Sequence, residues 1–164
     1  MNAATESAHL RADAQQQTLR QLGALAHQAR ATLRAADRFV AQGGAPDLDT
    51  ASWLVSTAVD LAHEVAGELD GLARGLRETG AEGQQLLALA PWRRAAHQLH
   101  AACRAADLFL EQESRDDRDA GTWLVASARN LADRLAAALD DGVGARAAAE
   151  PVRRVAAPVR GTAA

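Results

Sequence analysis

Residues 26–70 read AHQARATLRAADRFVAQGGAPDLDTASWLVSTAVDLAHEVAGELD, and residues 96–140 read AHQLHAACRAADLFLEQESRDDRDAGTWLVASARNLADRLAAALD. The two stretches align without a gap at an offset of 70 residues, and nearly half of the 45 positions are identical. The shared frame includes His27-Gln28, Arg34 to Asp37, Phe39, Asp49, Trp53 to Val55 and Leu69-Asp70. These match His97-Gln98, Arg104 to Asp107, Phe109, Asp119, Trp123 to Val125 and Leu139-Asp140. Self-similarity at a fixed period is the signature of a repeated structural unit that packs against its own copy.

Each unit carries two helical patterns. Leu19, Leu22, Ala26, Ala29, Leu33, Ala36 and Val40 alternate intervals of three and four, the seam of a helix packed on neighbouring helices. Leu89, Trp92, Ala96, Leu99, Cys103, Ala106 and Leu110 repeat that stripe. Leu54, Ala58, Leu61, Val65, Leu69, Leu72 and Leu76 form the stripe expected for the second helix. Gly43-Gly44-Ala45-Pro46 ends the first helix, Gly80 and Gly83 end the second, and Gly142 ends the fourth. Asp49 and Asp119 are the expected N-caps, since a carboxylate there accepts the unpaired amide protons of a first turn. Pro91 leaves two possibilities for the third helix, a start at the proline or a kink at it.

The expected fold is therefore all-α, a four-helix antiparallel bundle made of two tandem helical hairpins related by a pseudo-twofold axis. The hairpins span about 10–79 and 84–141 within a bundle of 10–141. A frayed segment, 1–9, precedes it and an Arg/Pro/Ala tail, 142–164, follows it, read as disordered because it holds no large apolar side chain beyond Val.

Composition agrees. The chain is 48% hydrophobic but only 3% aromatic, with no Lys, Ile or Tyr, and Ala, the strongest helix former, dominates. At 164 residues it is long enough for one sizeable core. Net charge is −3, and the tail bears Arg146, Arg153, Arg154 and Arg160 against Glu150 alone, so the rest of the chain is acidic. An acidic body argues against nucleic acid, which requires clustered cationic charge. One cysteine, Cys103, excludes an internal disulfide and sits in an apolar stripe as a small hydrophobe. The polar start lacks the pattern of a signal peptide, and no run approaches the ~20 apolar residues that span a bilayer. The expectation is a cytoplasmic chain that binds neither membrane nor nucleic acid.

The polar residues retained in both copies are the candidate ligand or interaction residues: His27, Arg34, Asp37 and Trp53, then His97, Arg104, Asp107 and Trp123. Level residues in an antiparallel hairpin place Asp37 beside Trp53 and Asp107 beside Trp123, each carboxylate accepting the indole N–H, with Arg34 a turn away offsetting the charge. The same reasoning sets His27 level with His63. His27, His63 and Glu64 are the candidate metal ligands, although the Glu-x-x-His signature of di-iron bundles is absent. No phosphate loop, nucleophile elbow or Cys/His arrangement is present, so no catalytic residue and no cofactor is assigned. The functional expectation is a non-enzymatic protein–protein interaction or scaffold module acting on a protein partner or as a homodimer, with Phe39 or Phe109 near the interface. The alternative is a ligand- or metal-binding bundle with its site between the hairpins.

Overall fold

The computed structural model describes residues 3–80, 83–112 and 114–149. Four helices follow one another: α1 (Ala3–Gln42), α2 (Ala45–Glu78), α3 (Gly83–Leu110) and α4 (Arg115–Ala149). Each packs against two neighbours, giving the closed order α1–α2–α3–α4 and back to α1. The described residues contain no strand. This is the four-helix antiparallel bundle that the heptad spacing demands.

The breaks follow local chemistry. α1 stops where Gly43 adopts φ 73°, and its amide donates back to the Phe39 carbonyl. α2 starts from Gly44 in extended conformation, with Pro46 in its first turn, where the missing N–H costs nothing. The Asp49 cap is therefore displaced: Asp49 lies one turn inside the helix, and Gly44 makes no side-chain cap bond. In the second copy Ser114 takes the capping role, its Oγ accepting from the Asp117 amide at 3.5 Å, and Asp119 too lies inside α4. Both expected caps were one turn late because apolar periodicity begins only after the first turn. Asp47, and Asp116 with Asp117, instead sit in first turns, where negative charge meets the helix dipole.

Pro91 lies inside α3 rather than at its start. α1 starts at Ala3, well before the expected Leu10, and α4 continues through Gly142 and Gly144 to Ala149. The first residues expected to belong to the tail are thus helical, and Val143 packs on the core. The remainder of the tail, 150–164, lies outside the described residues.

All seven seam residues of α1 are buried, as are those of α3 except the half-buried Trp92. α2 differs. Its buried residues are Ala51, Val55, Ala58, Ala62, Val65, Ala66, Leu69, Ala73 and Leu76, while Leu54, Leu61 and Leu72 are only partly covered. The expected stripe favoured the larger side chains. The helix keeps Ala58, Val65, Leu69 and Leu76 of that stripe inward and adds Ala51, Val55, Ala62, Ala66 and Ala73, a shift of roughly half the ~100° between successive residues. Close approach of the helices rewards small residues at the centre, with leucines closing the flanks.

The core falls into two clusters. The larger runs from Leu19 to Leu139 and includes Leu33, Leu69, Leu99 and Leu135. The smaller, at the end that holds the α1–α2 and α3–α4 turns, comprises Ala36, Val40, Ala51, Val55, Ala106, Leu110 and Val125, with Phe39 leaning on it. Among the described residues no polar or charged side chain is buried.

Candidate functional site

Because the interior is wholly apolar, every candidate residue stands in a groove between helices or on the outer surface. The groove between α1 and α4 is closed by ion pairs. His27 Nε2 lies 3.0 Å from Asp140 Oδ2. Arg34 Nη2 donates to Asp133 Oδ1 at 2.8 Å, with Arg30 3.9 Å from the same oxygen. Arg129 Nη1 donates to Asp37. A shallow cleft of about 330 Å³ opens here, lined by Arg34, Asp37, Arg38, Arg129 and Asp133.

The groove between α2 and α3 begins in the same way. His97 Nε2 lies 3.1 Å from Asp70 Oδ2, and Arg93 Nε donates to Asp70 Oδ1 at 2.7 Å. The hydrogen bond and charge of Arg93 hold the Asp70 carboxyl below the usual carboxylate range against a smaller opposing effect of burial. Further along, the two grooves diverge. Where α4 has Asp133, the matching position of α2 is His63, and it meets His100 with ring centroids 5.1 Å apart and planes tilted by 51°. Burial lowers the His100 pKa, helped by His63, Arg104 and His97. Burial also raises that of Asp107, with Glu111 and Asp60 adding to the effect and Arg104 opposing it. Arg104 makes no ion pair among the described residues.

The Asp–Trp pairing does not form. Trp53 and Trp123 are 68% and 69% exposed, and Asp37 bonds Arg129 instead. The cause is the rotation of α2. With Ala51 and Val55 facing the core, the residue two away from each of them points outward. Val125 sets α4 in the same way, with Trp123 two positions from it.

The three candidate metal ligands are also separated. His27 faces α4, whereas His63 faces α3, so residues level on a hairpin lie on opposite flanks of it. Glu64 lines a different cleft, between α1 and α2, of about 410 Å³ together with Thr18, Gln21, Leu22, Leu25 and Glu68. Among the described residues no three His, Cys, Asp or Glu side chains converge as metal ligands. Cys103 is fully buried, and its thiol is pushed up to about 12 chiefly by that burial, which keeps it protonated and unreactive.

Asp70, Arg93, Arg129 and Asp140 carry polar contacts and were not singled out from the sequence; level counting also set Asp133 beside His97 and His100 beside Asn130, whereas Asp133 takes Arg34 and His100 meets His63. Asp70 and Asp140 were within reach, since both end the repeated frame. They were missed because partners were sought inside one hairpin. The pairs instead cross over: His27 of the first copy takes Asp140 of the second, and His97 of the second takes Asp70 of the first.

The fold and these grooves define an all-α four-helix bundle whose polar chemistry is confined to its flanks and whose largest exposed rings point outward. The chain matches no family model, no curated protein and no solved structure at the level that marks a relative. Among the described residues no helix is long and apolar enough to cross a membrane.

Proposed function

We propose that the chain is a non-enzymatic protein–protein interaction or scaffold module that engages a protein partner, or a second copy of itself, through Trp53 and Trp123. The observation that carries this reading is the exposure of both indoles at matching positions of the repeat. A single exposed apolar side chain is unremarkable. Tryptophan is different: it is among the residues that most often anchor interfaces, and here it is turned outward twice by the same local pattern. Leu108 and Phe109, 56% and 37% exposed, add apolar surface at the same end of the bundle. Phe39 packs on the smaller core and contributes less. We further read the crossed His–Asp pairs as the mark of a pseudo-twofold relation between the hairpins, which would make the two indoles equivalent contact points.

The alternative, a ligand or metal held between the hairpins, draws less support. Such a site needs polar groups aimed inward, and the interior supplies none among the described residues.

The test compares the chain with the Trp53→Ala, Trp123→Ala double variant by sedimentation equilibrium and by affinity capture from extracts of the source cells. The expected result is self-association, or a captured partner, that the double variant loses while its helicity is unchanged. A 17.2 kDa monomer at micromolar concentration, with the same captured set for both proteins, would overturn the proposal.

A further inference from the structure

Four carboxylates in the helix–helix grooves, Asp37, Asp70, Asp133 and Asp140, each have a basic partner. The outer face of α2 is the opposite case. Asp49, Asp60, Glu64 and Glu68 are exposed and make no ion pair or hydrogen bond among the described residues. With Trp53 they recur at intervals of four and seven, so they share one stripe of the helix. The stripe borders the 410 Å³ cleft against α1, which is lined by Ala24 and Leu25 on the α1 side and by Glu64 and Glu68 on the α2 side. Unpaired negative charge beside an apolar cleft suits an occupant with positive charge and small apolar side chains.

The chain contains such a segment. Pro151 to Arg160 reads PVRRVAAPVR, with Arg153, Arg154 and Arg160, three valines and no acidic residue. We infer that this segment docks along the α1–α2 cleft of its own molecule, its arginines on Glu64 and Glu68 and its valines against Ala24 and Leu25.

Reach allows it. The pairs His27–Asp140 and Arg34–Asp133 set the register of α1 against α4. Continued to the end of α4, that register brings Ala149 within about a helical turn of the level of Thr18, which lines the cleft. The path then runs around α1. Half the circumference of a helix roughly 10–12 Å across is about 16–19 Å. At about 3.3 Å per extended residue, five or six residues cover it, which brings Arg154 to the rim. The residues from Val155 to Arg160 remain to lie along the cleft. The occupant is independent of the tryptophan reading, since neither indole is needed for it.

The full chain carrying Ala163→Cys can be spin-labelled at that position alone, because Cys103 is buried and its thiol is held near 12. Amides of Thr18 to Leu25 and of Glu64 to Glu68 should broaden. The broadening should vanish in about 1 M salt and in the Arg153→Glu, Arg154→Glu, Arg160→Glu variant. It should return when that variant also carries Glu64→Lys and Glu68→Lys. Broadening elsewhere, or a pattern indifferent to both charge changes, would overturn the assignment. So would broadening seen only between labelled and unlabelled copies in a mixed sample. Far-UV circular dichroism confirms that each variant keeps its helices, so a lost signal is not mistaken for a lost fold.

Discussion

At the residue scale the polar groups differ in the pH range where they matter. Asp70 is held low by Arg93, so its contribution is present above its ordinary value of 3.8 and is lost as pH falls through the lowered folded value. Asp70→Asn should therefore flatten the acid limb of a stability profile, at a cost near neutrality of about 1 kcal/mol or less, as for a partly solvated pair. His100 works in another window. Its folded pKa is lowered, so the unfolded chain binds the proton more readily, and the fold weakens as pH drops below the ordinary 6.5. In urea titrations His100→Leu should remove that loss on going from pH 7.5 to 5.5. An unchanged slope would mean that the His63–His100 contact costs nothing on protonation. Asp107, raised by burial, acts in the opposite sense, its charged form weakening the fold as pH rises above 3.8, so the variants must be compared at equal pH.

At the element scale, what could be read in advance was what depends on periodicity. The alternating three-and-four spacing located α1 and α3 and their buried faces, because a heptad seam admits few alternatives. It misplaced the face of α2, where both an alanine stripe and a leucine stripe fit the period. Only the other three helices decide between them, and that choice turned Trp53 outward. The groove pairs were hidden for a related reason: a residue's flank depends on helix rotation, which one hairpin does not determine. Glycine supplies a further element-level test. A Cβ on Gly142 would overlap Cη2 and Cζ2 of Trp92, whereas one on Gly67 meets nothing within 4 Å. Gly67→Ala should stabilise α2 by about 0.5–1 kcal/mol through helix propensity. Gly142→Ala should reverse that gain and cost about 1–3 kcal/mol as the indole is pushed aside. Thermal melts with tryptophan emission would record both, and a stabilised Gly142→Ala would show that the indole moves freely.

At the scale of the whole molecule the end of α4 belongs to the bundle. Val143 packs on the larger core, so a chain ending at Ala149 should keep all four helices. One ending at Gly142 should melt lower, because it loses an apolar contact and two turns of helix. Equal melting of the two would mean that residues 143–149 add nothing to the fold. Within the cores stability is spread thinly: among the described residues 28 hydrophobic residues are buried, but many are alanines, each removing little surface from water. Leu99→Ala, at a fully buried site, should thus cost about 2–5 kcal/mol, more than any groove pair.

The packing of α1 against α4 has a consequence for connectivity. The start of α1, the end of α4 and the α2–α3 turn all lie at one end of the bundle, so the ring of helices has no privileged first member. A circular permutant, opened between Gly80 and Gly83 and bridged from the end of α4 to the start of α1 by a glycine–serine linker, would place the second hairpin ahead of the first. It should fold to the same ring, with His27 still meeting Asp140 and His97 still meeting Asp70.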